Sequence, residues 1–345
     1  MHFKILLLLS FSCLLSLESC KETEPIISST PIPEHKIKGM ALVAPPSPFV
    51  EDPIEPMGAI GVNWVSIHPY GFFRKNSEFI QYNGKHQWWG ERPEGVIKSV
   101  EYAHQNGVKV LLKPQLWTYD QWIGDFDIED EQTLLTWQQN YEEFILEFAR
   151  MADSLQVEMF CIATEIKQIA HKHPEYWRTL IKKIKTIYKG KLTYAANWDS
   201  WQKITFWDDL DYIGVDAYFP LVQNKTPSVS KLLKAWQPIL KELEDFHNRY
   251  DKPILFTEFG YMSVDDCAYN HWEVEAQKGT RAINEKAQAN ALQALFETFS
   301  EVDWWHGGFQ WKWYPSTGSN YGEGSWAKDY TPQGKDAEIV IKKYF

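Results

Sequence analysis

From residue 37 onward, short apolar runs alternate with longer stretches in which apolar residues recur every three or four positions. That is the pattern of buried strands alternating with amphipathic helices. Eight runs predict strands, at 37–44, 60–67, 108–114, 159–165, 192–197, 212–216, 254–258 and 308–311. The helical period is clearest at 94–106, 133–152, 174–188, 229–250, 284–300 and 336–344. Gly107 and Gly190 stand where a helix should stop, and Asp251-Lys252-Pro253 turns the chain into the seventh strand. No internal linker breaks the series, so residues 37–345 read as one domain. Eight strand-helix units in one domain predict an α/β fold of the (β/α)8 TIM-barrel type. A doubly wound open sheet competes with it, but such a sheet carries a Gly-rich phosphate turn after its first strand. Met40-Ala41-Leu42-Val43-Ala44-Pro45-Pro46 has none.

On a barrel of this kind, chemistry sits where strands end and βα loops begin. The predicted strand ends are polar and aromatic: His68 and Tyr70, Lys113 with Gln115 and Trp117, Glu165, Asn197 with Trp198, Asp216 with Tyr218, Glu258, and Trp311 with Trp313. Composition sharpens this picture. The chain has 17 Trp, 17 Tyr and 19 Phe, more flat aromatic surface than an ordinary core needs. Ten of the 17 tryptophans, Trp88, Trp89, Trp117, Trp122, Trp198, Trp201, Trp272, Trp311, Trp313 and Trp326, fall in or beside predicted βα loops. That placement favours stacking on a ligand over core packing.

Two of the predicted strands, the fourth and the seventh, each end in a glutamate, Glu165 and Glu258. A carboxylate at the end of an apolar strand is costly unless it is hydrogen-bonded. Either one alone fits a salt bridge at the rim, but the two ends face each other across a barrel mouth. Two carboxyls ~5 to 5.5 Å apart are what retaining glycoside hydrolysis requires. One stays protonated to protonate the leaving oxygen, and the other is ionised to attack the anomeric carbon. Glu165 is the better acid/base candidate and Glu258 the better nucleophile. Tyr218, on the neighbouring strand end, is placed to donate to Glu258 and hold its pKa down. Lys113 is open to two readings, a neutraliser of a buried carboxylate or a substrate contact, and Asp216 is a candidate partner for it.

The catalytic Glu after strand four, Asn after strand five, Tyr after strand six, Glu after strand seven and Trp after strand eight resemble clan A of the glycoside hydrolases. More narrowly, the chain is similar to glycoside hydrolase family 113 in five motifs in order. They are Leu111-Leu112-Lys113-Pro114-Gln115-Leu116-Trp117, Ile162-Ala163-Thr164-Glu165-Ile166-Lys167, Leu192-Thr193-Tyr194-Ala195-Ala196-Asn197-Trp198, the run at 206–218 ending in Asp216-Ala217-Tyr218, and Thr257-Glu258-Phe259-Gly260-Tyr261. The resemblance implies β-1,4-mannan-degrading activity, with Glu165 as acid/base and Glu258 as nucleophile. It also implies that Lys113, Trp117, Asn197, Trp198, Asp216, Tyr218 and Trp311 line the subsites, and that no metal or organic cofactor takes part. Two positions depart from the pattern. Thr164 stands where most of clan A has Asn, and Gln115 stands where family 113 is expected to have His. The expected activity is a retaining endo-β-1,4-mannanase acting on mannan or glucomannan. The alternatives are another clan A enzyme, a β-glucanase or an exo-β-mannosidase with its cleft closed by the loops at 260–284 or 312–331, and a non-catalytic glycan-binding lipoprotein.

The N-terminus and the charge complete the expectations. Residues 1–19 read as a lipoprotein signal peptide: Lys4, then the thirteen mostly apolar residues 5–17, too short to span a bilayer. Leu17-Glu18-Ser19-Cys20 resembles a bacterial lipobox with Cys20 as the lipidated residue, and Lys21-Glu22-Thr23-Glu24 looks like an acidic surface-export tag. Residues 20–36 read as a tether, so the protein is expected to be an exported bacterial lipoprotein of the outer membrane or cell surface, held by its lipid. Only Cys161 and Cys267 remain in the folded part, no disulfide framework, and His171-Lys172-His173 reads as a solvated helix start rather than a metal site. With 35 Lys+Arg against 46 Asp+Glu, the net charge of -11 argues against nucleic acid and for a neutral sugar polymer as partner.

Overall fold

The computed structural model describes residues 31–74, 77–315 and 326–345. Eight strands build the barrel: β1 Ile37–Leu42, β2 Trp64–Ile67, β3 Lys109–Leu112, β4 Met159–Thr164, β5 Lys191–Asn197, β6 Ile213–Asp216, β7 Ile254–Phe259 and β8 Trp305–Trp313. Each pairs in parallel with its neighbour in sequence, and β8 returns to β1 to close the ring. The expected (β/α)8 barrel is therefore the fold.

Alternation within the strands divides two cores. Ile37, Leu111, Met159, Cys161, Ala195, Leu255 and Phe309 fill the barrel interior. Their neighbours Met40, Leu112, Phe160, Ile162 and Phe256 face the surrounding helices. Because both faces are buried, the strands read as continuous apolar runs. The helices Pro93–Gln105, Glu131–Ser154, Pro174–Ile187, Val229–Tyr250, Glu285–Phe299 and Asp336–Tyr344 lie close to their predicted places. In Pro174–Ile187 the buried Trp177, Leu180, Ile181 and Ile184 repeat at helical spacing, the face that packs on the sheet. Asp130 caps Glu131–Ser154 by accepting from the Thr133 N–H at 2.8 Å.

Three features differ from expectation. The second strand begins at Trp64 because Glu55–Gly58 coils into a short helix ahead of it. A second sheet of two parallel strands, Tyr70–Phe73 and Gln115–Thr118, rises just beyond the ends of β2 and β3, with Tyr70 opposite Gln115. Four residues each are too few to register as a period. The tether expected over 20–36 gives way to packed chain at Ile32, whose N–H donates to the Tyr344 carbonyl at 2.7 Å. Lys36 follows, donating to the carbonyls of Ser300 at 3.0 Å and Val302 at 2.6 Å. The Ser300 carbonyl closes the helix Glu285–Phe299, where carbonyls run out of intrahelical partners, and together with the Val302 carbonyl, which also accepts from the Trp305 N–H at 3.1 Å, it satisfies this buried ammonium. The signal peptide, Cys20 and the tether up to residue 30 lie outside the described residues.

Cys161 and Cys267 are buried and unpaired. His171 lies in the short helix Lys167–Lys172, and His173 leads into the next helix.

Candidate active site

Glu258 sits at the open end of β7, in register with Asp216 of β6. Its carboxylate is surrounded by donors. Lys113 of the β3 end and Gln115, at 3.2 Å, both donate to Oε1, and the Tyr218 hydroxyl donates to Oε2 at 2.8 Å. Burial alone pushes a carboxyl pKa up, but here the Lys113 ammonium and these hydrogen bonds overcome it. The Glu258 carboxyl is held below its usual range and is ionised at neutral pH. Tyr218 is braced in turn by His271, stacked on it at 4.7 Å.

Beneath Glu258 lies a charge pair with no solvent exposure at all. Lys113 donates to Asp216 Oδ1 at 3.4 Å as well as to Glu258. Burial opposes the charge on Lys113, yet the two carboxylates raise its pKa above the usual range, so it remains a cation. Asp216 is driven up to about 7, first by burial and further by the charge of Glu258, against the pull of Lys113. Both residues were expected to line subsites. Neither reaches the cavity wall; they form the ionic floor under Glu258.

Glu165 follows β4 and meets the opposite treatment. Its N–H stays on the barrel ladder, donating to Ala195 at 2.8 Å, while a φ of +55° turns the chain at once out of the strand. Burial and the charges of Asp216 and Glu258 push its carboxyl well above the usual range. One hydrogen bond opposes this: the Trp122 indole N–H donates to Oε2 at 3.2 Å. Trp122 reaches back because Gly124 leaves room beneath its ring. A Cβ on Gly124 would stand 2.2 Å from the indole carbons. Lys167, paired with Asp199 at 2.7 Å, lies over the Trp122 ring at 5.7 Å from its centroid.

Glu165, Glu258, Trp117, Asn197, Trp198, Tyr218 and Trp311 line one cavity of about 1060 Å³ at the barrel mouth. Six of the ten loop tryptophans border this cavity or the smaller one beside it: Trp88, Trp117, Trp122, Trp198, Trp272 and Trp311. Trp198 and Trp272 stack face to face at 5.7 Å. Trp201 and Trp313, read as loop aromatics, are buried packing residues instead, Trp201 against Phe246 at 4.7 Å. Trp122 and His271 are functional neighbours that the sequence left unassigned. The hint for Trp122 was a Gly two residues on, in a loop otherwise rich in bulky residues.

Two carboxyls of opposed proton affinity on β4 and β7, set in an aromatic-lined barrel mouth, are the equipment of a glycoside hydrolase. The family profile of Glycoside Hydrolase Family 113 matches residues 47–335, and the chain belongs to that family. A solved family 113 β-1,4-mannanase is 27% identical with a TM-score of 0.74, over 90% of this chain and 98% of that one. The family 113 β-mannanase from Alicyclobacillus acidocaldarius is 24% identical with a TM-score of 0.76, over 89% and 96%. A Ruminococcus gnavus β-glucuronidase, 14% identical with a TM-score of 0.60 over 89% of this chain and 50% of that one, shares the fold. No curated protein sequence matches the chain.

Proposed function

We propose that the protein is a retaining endo-β-1,4-mannanase that hydrolyses mannan or glucomannan, with Glu258 as nucleophile and Glu165 as general acid/base. The observation that carries this reading is the opposite electrostatic treatment of the two carboxyls, one held ionised by Lys113, Gln115 and Tyr218, the other held protonated by burial beside anionic neighbours. A Glu258 oxygen attacks the anomeric carbon as the bond to the leaving oxygen breaks, and Glu165 gives that oxygen its proton. A water then attacks the same carbon, gives its proton to Glu165 and releases Glu258. Two displacements restore the starting anomer, and one water is consumed per bond cut.

Similarity to solved β-1,4-mannanases supports mannan as the substrate. The net charge of -11 supports a neutral chain, and a cavity far larger than one sugar ring supports cleavage within a polymer. Mannan, glucomannan and cellulose offered side by side test this, with the first-formed anomer followed by NMR. The expected result is β-configured manno-oligosaccharides of mixed length. Cleavage of cellulose alone, or an α-anomer appearing first, contradicts the reading. The leader and lipobox support export and lipidation at Cys20; mannan-hydrolysing activity should sediment with membranes in the wild type and turn soluble in Cys20→Ala. Activity soluble in both contradicts the anchor.

Trp122 holds the acid in place and, by stabilising its ionised form, limits how far its pKa rises. Trp122→Phe keeps the bulk and loses the donor, so the alkaline limb of the kcat profile moves to higher pH and the plateau falls roughly tenfold. Gly124→Ala, which displaces the same indole, reproduces the shift. An alkaline limb unmoved in both variants removes Trp122 from this role.

A further inference from the structure

Lys113 and Gln115 fix Oε1 of Glu258 from the β3 side, but Oε2 is fixed by the Tyr218 hydroxyl, and Tyr218 stands two residues beyond the end of β6. Its ring is held by a short helix, His271–Ala276, in the loop after β7. We infer that this helix is a brace for the nucleophile, with His271 as a positioning residue that sets the aim of Glu258 through Tyr218. The inference rests on the reading of Glu258 as nucleophile.

Two rings confine Tyr218. The His271 imidazole stacks on it at 4.7 Å, with 28° between the planes, and lies against the Tyr218 main chain. The Tyr330 ring meets it edge-on at 6.1 Å. Both rings are tied to the same helix, because the Tyr330 hydroxyl donates to Glu275 Oε2 at 3.4 Å. Between His271 and Glu275, Val274 is buried with Met262, Val264 and Tyr330 in a small apolar cluster against which Tyr218 and Trp311 pack. Residues 271, 274 and 275 share one helix face at i, i+3, i+4 spacing, and that face confines Tyr218. The helix is itself anchored: Asn270 Nδ2 donates to Glu273 Oε1 at 2.8 Å, and Trp272 stacks on Trp198 at 5.7 Å.

A tyrosine ring that swings about its torsions spends time out of reach of the carboxylate. Stacking removes that freedom and keeps the hydroxyl on Oε2. Burial holds the imidazole neutral, its pKa pushed down to about 4 against the charges of Glu258 and Asp199, so it braces Tyr218 without adding charge beside the nucleophile. The other groups that face Glu258, namely Lys113, Asp216, His68, Tyr70, Glu165 and Tyr330, stand on other segments.

The test is the pH profile of kcat/KM on a soluble manno- or gluco-oligosaccharide, whichever is cleaved, since its acid limb reports the nucleophile. Tyr218→Phe removes the hydrogen bond that holds the Glu258 pKa down, so its acid limb should move up by about one pH unit. His271→Ala leaves the hydroxyl but frees the ring. It should move the limb the same way by about half a unit, with kcat lowered roughly tenfold and KM little changed, and His271→Phe should fall between it and the wild type. Added to Tyr218→Phe, His271→Ala should bring almost no further loss. Val274→Ala, at a position bordering neither cavity, loosens the helix from beneath and should also raise the limb; it carries the test if His271→Ala does not fold. His271 also borders the main cavity, and a sugar contact there predicts a raised KM, a limb in place and a loss that adds in full to that of Tyr218→Phe. That outcome overturns the brace, as does a limb that moves down, which would be the titration of His271 itself. A limb unmoved in Tyr218→Phe as well fails the reading of Glu258, and the inference with it.

Discussion

Glu258→Ala is expected to lower kcat on mannan on the order of 10⁴- to 10⁶-fold while the protein remains folded, the scale seen when a covalent nucleophile is removed. Two losses combine. No atom is left to attack the anomeric carbon, and the negative charge that helps keep Glu165 protonated is gone, so the pKa of Glu165 falls. Lys113 retains Asp216 as a partner, which keeps the floor of the site neutral enough to fold. The vacated space lies beside an ammonium, a place where a small anion such as azide binds. With an aryl glycoside that needs no proton at its leaving group, azide should restore turnover and give a product of inverted, α configuration. Mannan hydrolysis by Glu258→Ala at the wild-type rate removes Glu258 from the nucleophile role. Rescue that yields a β-azide contradicts a direct displacement in its place.

The barrel was legible in the sequence because its strands are buried on both faces and its helices on one, two periods that differ plainly along the chain. Glu165 and Glu258 were legible for a related reason: a carboxylate closing an apolar strand has no bland explanation when it occurs on both β4 and β7. The small sheet of Tyr70–Phe73 and Gln115–Thr118 was not, because its strands lie above the rim and are too short to show a period. The same shortness hid the purpose of Gln115. Noted in the sequence only as a departure from the family pattern, it stands at the first position of its strand and donates to Glu258. Lys113 and Asp216 were legible as strand-end charges, but sequence does not tell an inward position at the cavity wall from one a layer lower. The tryptophan excess proved to be of two kinds. Trp137, Trp177, Trp207, Trp236 and Trp305 are fully buried packing residues, while the cavity-lining rings come from the end of β8, from the short rim strand Gln115–Thr118 and from loops whose course no periodicity describes.

That lower layer is where the largest effect away from the reacting atoms is expected. Lys113→Met fills the same space without the charge and leaves Glu258 and Asp216 buried side by side with no counter-ion. Breaking a buried pair from one side costs about 3 to 5 kcal/mol, and here two carboxylates lose their partner. The cost depends on pH. In the wild type the pKa of Glu258 is depressed, so its contribution to stability is present above the unfolded carboxyl value of about 4.5 and is lost as pH falls through the lower folded value. Without Lys113 the sign reverses: the folded pKa lies above the unfolded one, and stability is lost as pH rises between them. The difference in Tm between wild type and Lys113→Met should therefore be small near pH 4 and grow toward pH 7. Activity should follow the same logic. Lys113 holds down the pKa of both Glu258 and Glu165, so the acid and alkaline limbs of kcat/KM both move to higher pH, and the maximum falls roughly 10²- to 10³-fold. A substrate contact predicts something else, a raised KM with both limbs in place and a Tm difference that does not vary with pH. That outcome would return Lys113 to the cavity wall; a joint upward shift of the limbs with a pH-dependent Tm gap assigns it to the electrostatic floor beneath the nucleophile.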